Sequence, residues 1–121
     1  MKKILVVEDE AILLQALSGK LTKEGYQVLE ARDGRQGLEI ALSVHPDLIL
    51  LDIIMPVMDG MAMLKKLRED EWGKNVPVLI LTNLSDNQKI DESLRQGVFD
   101  YLTKTNWSLD DLVKRIKVRL T

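Results

Sequence analysis

The stretch Asp47-Leu48-Ile49-Leu50-Leu51-Asp52-Ile53-Ile54-Met55-Pro56-Val57-Met58-Asp59-Gly60 decides the fold. Its first part is a continuous apolar run, 48–51, that ends on an acid. Such a run suits a strand covered on both faces. The same design recurs on either side. Residues 4–7 are Ile-Leu-Val-Val and end on Glu8-Asp9-Glu10, and residues 78–81 are Val-Leu-Ile-Leu and end on Thr82. Strands are predicted over 3–8, 26–31, 47–52, 78–82 and 99–103. Helices are predicted over 11–24, 34–44, 60–71, 86–96 and 108–120. Leu109, Leu112, Val113, Ile116 and Leu120 make one buried stripe on the last helix. Ser108 with Asp111 has the spacing of a capping box, and Gly25 and Gly97 stop the helices before them.

Strict alternation of strand and helix predicts an α/β class: a doubly wound, five-stranded parallel sheet with right-handed crossovers and helices on both faces. Strand 26–31 mixes Gln27 and Glu30 with apolar residues, and Asp100 interrupts strand 99–103. Both read as edges, which fits the order 2-1-3-4-5. In such sheets ligands bind beyond the carboxyl ends of the strands, where the order reverses. Parallel strands share that edge, so Glu8, Asp9, Asp52, Thr82 and, beyond Tyr101, Lys104 converge on it. Hard oxygen ligands of this kind suit Mg²⁺. Two carboxylates about 5 Å apart at an effective dielectric of about 20 repel by about 3 kcal/mol, so the cluster calls for a cation or a proton.

Composition narrows the function. The chain has 121 residues, which suits a single domain spanning 1–121. It has no cysteine, which excludes disulfides, thiolate nucleophiles and Cys-type zinc sites. His45 is the single histidine, so a multi-His metal cluster is excluded, and it reads as a loop residue ahead of Pro46. A net charge of -2 argues against direct nucleic-acid binding. The apolar run after Lys2-Lys3 stops at Glu8, too short for a signal peptide, and no stretch is long enough to span a membrane. A soluble, cytoplasmic protein is predicted.

The segment from Asp52 to Gly60 resembles the D-x-x-M-P-x-M-D-G signature of receiver domains of two-component response regulators. The resemblance covers the whole chain, and Glu8-Asp9, Thr82, Tyr101 and Lys104 stand at the matching strand ends. It implies a (βα)5 flavodoxin-like receiver fold and a phosphorylation-activated signalling switch. Asp52 matches the phosphoacceptor. Asp9 and Asp52 match the side-chain ligands of Mg²⁺ (Mn²⁺ being the alternative), and Glu8 matches the second acid, acting through metal-bound water. Ile54 matches the position that gives a backbone carbonyl to the metal. Lys104 matches the charge that pairs with the phosphoryl oxygens, and Thr82 the hydroxyl that bonds another of them. Thr82 and Tyr101 match the switch pair. The implied partners are a sensor histidine kinase or histidine phosphotransfer protein upstream and a protein target downstream. That target would read the face of helix 86–96, strand 99–103 and helix 108–120. Helix 86–96 has the shallowest apolar stripe, Ile90 and Leu94, and so the character of a moving element. The domain would catalyse its own aspartyl phosphorylation and slow dephosphorylation, not turnover of an external metabolite.

The other signature residues read structurally: Asp59 as a helix N-cap, Gly60 as a tight entry, Pro56 as a stiffener, and Met55, Met58, Met61 and Met63 as packing. Three departures stand out. Lys104 is followed by Thr105 where the family has proline, Thr82 is followed by Asn83 where it has a small residue, and 104–112 is one residue longer. The alternative function is a phosphorylation-independent pseudo-receiver, which loss of Asp52, Lys104 or the acid pair would mark; none is lost. Glu8-Asp9-Glu10 would repel the phosphate of a flavodoxin-type cofactor, and the D-x-D of aspartate-nucleophile phosphatases is absent. Lys114, Arg115, Lys117 and Arg119 make the last helix basic, which reads as complementing the macrodipole, with an acidic partner as the alternative.

Overall fold

A computed structural model describes residues 1–53, 55, 57–82, 95, 97–103 and 108–120. Along the chain run β1 (Lys3–Val7), α1 (Ala11–Lys23), β2 (Gln27–Ala31), α2 (Gly34–Val44), β3 (Leu48–Asp52), α3 (Gly60–Glu69), β4 (Val78–Thr82), β5 (Asp100–Thr103) and α4 (Leu109–Leu120). Of the helix predicted over 86–96 only Arg95 is described, and it is helical; the rest lies outside the described residues, as do Ile54, Pro56, Asn83, Lys104 and Thr105.

The sheet has the predicted order, β2-β1-β3-β4-β5, and every neighbouring pair is parallel. Side chains alternate across it, because successive residues of a strand point to opposite faces. Leu5, Val7, Ile49, Leu51, Val78 and Ile80 pack with residues of α2 and α3, among them Ala41, Met63, Leu64 and Leu67. Ile4, Val6, Leu48, Leu50, Leu79 and Leu81 pack with residues of α1 and α4, among them Leu17, Leu21, Leu112 and Ile116. Each fully buried aliphatic side chain is worth about 1.5–3 kcal/mol, so the central strands are anchored on both sides. The edges are as expected, with Gln27 and Glu30 exposed on β2 and Tyr101 on β5. The methionines also pack: Met55 and Met63 are buried, and Met58 and Met61 lie against the same cluster.

Helix ends follow local chemistry. Asp59 Oδ1 accepts from the Ala62 amide at 2.9 Å, so the predicted N-cap is in place. Ser108 Oγ accepts from the Asp111 amide at 3.1 Å. Asp33 caps α2 in the same way, through the Gln36 amide. Helix α3 stops at Glu69 rather than 71, because Asp70 Oδ2 accepts from the amides of Trp72 and Gly73 and folds the chain into a turn. Gly25 and Gly97 have φ of +96° and +80°, the left-handed conformation that ends a helix. His45 is more than a loop residue: at φ 56° it forms the left-handed C-cap of α2, and its ring stacks on Trp72 with centroids 4.3 Å apart.

Helices α1 and α4 are tied by charge where Lys117 Nζ meets Glu24 Oε1 at 2.6 Å and Lys20 meets Asp110 at 3.1 Å. The hydrogen bond and charge of Lys117 lower the Glu24 pKa, and Glu24 raises that of Lys117 in return. A lowered carboxylate pKa gives stability that is present above the unfolded value and is lost as pH falls through the folded one. A raised ammonium pKa gives stability that is present below the unfolded value and is lost as pH rises through the folded one. The pair therefore contributes in full between the ordinary values of 4.5 and 10.5. Glu24→Gln is expected to be less stable than the parent near neutral pH, with the difference closing under acid as Glu24 protonates. Urea melts across pH check this, and a difference independent of pH would refute it.

Candidate functional site

Strands β1 and β3 are neighbours, and Val7 pairs with Leu51. The residues that follow are therefore forced together at the carboxyl edge. Glu8 and Asp52 are buried, at 1% and 5% exposure, and Asp9 is half-buried. One carboxylate oxygen from each of the three lies within 4.8 Å of the others. Glu8 Oε2 accepts from the Glu10 amide at 3.1 Å, which tightens the short loop between β1 and α1.

The loop after Asp52 is shaped by close approach. The Gly60 amide donates to the Ile53 carbonyl at 2.7 Å. A Cβ on Gly60 would stand 2.0 Å from the Asp52 carbonyl oxygen and 2.8 Å from Ile53 Cα, so only glycine lets α3 start against the strand that carries Asp52. In the same loop Val57 has φ 68° and is exposed. A β-branched residue in that region costs about 1–2 kcal/mol, a strain at the site that the sequence reading did not anticipate.

Other predicted site residues fall on the same edge to different extents. Asp52 pairs with Leu81, so Thr82 is the next residue along β4, opposite Thr103 of β5. Tyr101 pairs with Ile80 and is exposed. Ile54 and Lys104, predicted at the site, lie outside the described residues. One neighbour of the site escaped the sequence reading. Arg32, just past the end of β2, donates from Nη2 to the Asp9 carbonyl at 3.0 Å. The signal was present, since β2 ends on the same edge as the four strands whose ends were considered.

Three carboxylates, two from the loop after β1 and one from the last residue of β3, form a donor set of hard oxygens, and their chemistry fits a divalent cation of the Mg²⁺ kind. The order β2-β1-β3-β4-β5 is that of a flavodoxin-like sheet, and the acids stand at the reversal of strand order, where ligands of such sheets bind. The family is settled by comparison: a model of the response regulator receiver domain matches residues 4–117, and the chain belongs to that family. It is similar to the DNA-binding dual master transcriptional regulator RpaA of Synechocystis, 35% identical over 120 residues, covering 99% of this chain and 49% of that protein. It is also similar to the response regulator PleD of Caulobacter vibrioides, 38% identical over 117 residues, 97% of this chain and 25% of that one. The chain thus spans half or less of the length of these relatives. Among solved structures, the receiver domain of the Francisella response regulator 1452 matches with a TM-score of 0.90 at 33% identity, over 99% of this chain and 97% of that one. The chemotaxis protein CheY4 of Vibrio cholerae matches equally well, covering 100% and 99%. No helix among the described residues is long and apolar enough to cross a membrane.

Like charges confined to this radius repel without a cation. Asp52→Asn is expected to stabilise the metal-free domain at neutral pH by about 1 kcal/mol. Denaturant melts in chelator check this, and a variant clearly less stable than the parent would show that the repulsion is already offset.

Proposed function

We propose that this domain is a phosphorylation-driven switch with Asp52 as its phosphoacceptor. The observation that carries the reading is the juxtaposition of Glu8, Asp9 and Asp52 within 4.8 Å at the carboxyl edge of a receiver fold. A carboxylate oxygen of Asp52 attacks the phosphorus of a phosphohistidine on a sensor kinase or phosphotransfer protein. The new O–P bond forms as the N–P bond breaks, and the imidazole leaves with its electron pair. Glu8, Asp9 and Asp52, with the carbonyl of Ile54, would hold Mg²⁺ or Mn²⁺. The bound cation would supply positive charge between a carboxylate nucleophile and an anionic phosphoryl group. Lys104 pairs with a phosphoryl oxygen and the Thr82 hydroxyl bonds another, each contact worth about 1.5–3 kcal/mol. Water later attacks the acyl phosphate and returns Asp52 to its carboxylate.

The same reading covers the output. Thr82 moving toward the phosphoryl group opens space that Tyr101 fills, and the face of segment 86–96, β5 and α4 changes. In support, Tyr101 is exposed, and between β5 and α4 lies a groove of about 430 Å³ walled by Phe99, Lys114, Val118 and Arg119. Carrying an equilibrium from 1:99 to 99:1 needs about 5.5 kcal/mol of differential affinity, which those two contacts reach only at the top of their combined range of about 3–6 kcal/mol, so a partial shift is expected. The whole domain 1–121 acts as one receiver unit in this reading, and the downstream target is a protein.

Incubation with a small acyl-phosphate donor and Mg²⁺ is expected to add one hydroxylamine-labile phosphoryl group, absent in Asp52→Asn and after chelation. Mass spectrometry reads this directly; addition that survives either change refutes the site or the metal. Hydrogen exchange with a beryllofluoride mimic of the phosphoryl group is expected to change protection over 82–104. Changes confined to the loops after β1 and β3 would mean that the phosphoryl group is bound without being transmitted.

A further inference from the structure

The loop that carries Asp9 is short and entirely acidic: Glu8, Asp9 and Glu10 fill the gap between Val7 of β1 and Ala11 of α1. Glu10, the N-cap of α1, makes no side-chain capping bond, unlike the N-caps of α2 and α3. The loop takes an outside contact from the turn after β2. There the Arg32 guanidinium donates from Nη2 to the Asp9 carbonyl at 3.0 Å. The base of that arginine is fixed on both sides. Ala31 accepts from the Glu8 amide at 3.0 Å, the Arg32 amide donates to Gln36 Oε1 at 2.9 Å, and Asp33 caps α2. The same turn reaches the other half of the site. The Gly34 amide donates to the Met58 carbonyl at 2.8 Å, and a Cβ on Gly34 would stand 2.3 Å from that oxygen. Residues 31–34 thus touch both loops that flank the acid cluster.

We infer that Arg32 is a positioning residue for the divalent cation: by holding the Asp9 carbonyl it fixes where the Asp9 carboxylate stands relative to Asp52. The inference rests on the reading of the cluster as a Mg²⁺ site. A hydrogen bond this exposed contributes little to global stability, so its effect is local, on the loop it grips. Outer contacts that orient a ligand weaken metal binding when removed. Coulomb's law alone gives the opposite sign, because a guanidinium beside a cation site repels the cation, and deleting it would tighten binding.

That opposition of sign is the test. Mg²⁺ affinity is measured by titration calorimetry on the parent, Arg32→Met and Arg32→Lys, with melting temperatures in metal-free buffer alongside. Arg32→Met is expected to bind Mg²⁺ about tenfold more weakly with its metal-free melting temperature unchanged. Arg32→Lys, which keeps the charge and one donor, is expected to recover part of the affinity. Unchanged or tighter binding in Arg32→Met overturns the inference while leaving the Mg²⁺ site standing. So does Arg32→Lys binding more weakly than Arg32→Met, because a retained charge and donor would then restore nothing. A metal-free melting temperature that falls together with affinity makes Arg32 a structural residue and overturns the inference as well. A parent that binds no Mg²⁺ overturns the metal reading and this inference with it.

Discussion

Three carboxylates held within 4.8 Å of one another, two of them buried, are the constraint around which this domain is built. At about 5 Å and an effective dielectric of about 20, each pair repels by about 3 kcal/mol. They are held because β1 and β3 are adjacent parallel strands whose ladder runs from Ile4 and Leu48 to Val7 and Leu51. That ladder is clamped between two apolar layers. Moving Asp52 away from Glu8 would mean sliding a fully buried strand, at a cost of several aliphatic side chains of about 1.5–3 kcal/mol each. The core thus fixes three acids at one edge, in an arrangement that could hold a divalent cation.

The flanking loops give that edge a defined shape. Gly60 lets the first turn of α3 press on the backbone of Asp52, and Gly34 lets the start of α2 press on Met58. Both contacts are backbone on backbone, and any side chain would force them apart. Asp59 and Asp33 then cap the two helices, so that α2 and α3 begin at fixed heights beside the acids. Val57 has left-handed backbone in the middle of this loop. Strain of that sort persists where the surroundings over-determine the chain, and here closures on both sides do so: the Gly60 amide on Ile53 and the Met58 carbonyl on Gly34.

Much of this was legible because it depends on patterns with a short period. Apolar runs such as 48–51 report burial on both faces directly, and Gln27, Glu30 and Asp100 report edges, which fits the order of the sheet without fixing its three inner strands. The acid cluster was legible as a consequence of topology, since a parallel sheet collects its strand ends. The cap at Asp59 was legible from residue type and position. The less legible features depend on contacts between distant loops. Nothing near His45 announces that its ring stacks on Trp72, 27 positions along the chain. The residue before a proline is only known to avoid the right-handed helical region. The early stop of α3 arises because the Asp70 carboxylate competes for backbone amides, which propensity over 60–71 does not register. The end of β2 lies on the same edge, but the bond from Arg32 to the Asp9 carbonyl, 23 positions back, follows no pattern in the sequence.

The basic last helix shows how far charge counting goes. Lys114, Arg115, Lys117 and Arg119 suggest either a solvated face or a surface for an acidic partner. The structure engages three of the four within the domain: Arg115 pairs with Asp100 of β5, Lys117 with Glu24 at the end of α1, and the Arg119 guanidinium lies 5.7 Å from the centre of the Phe99 ring. These contacts spend the helix's charge on fixing α4 against β5 and α1, more than macrodipole complementarity alone requires. The face they leave is exposed at Val118 and Tyr101. A partner that reads it gains from apolar contact with those side chains, and one selected by net negative charge would have to compete with Asp100 and Glu24 for cations already held.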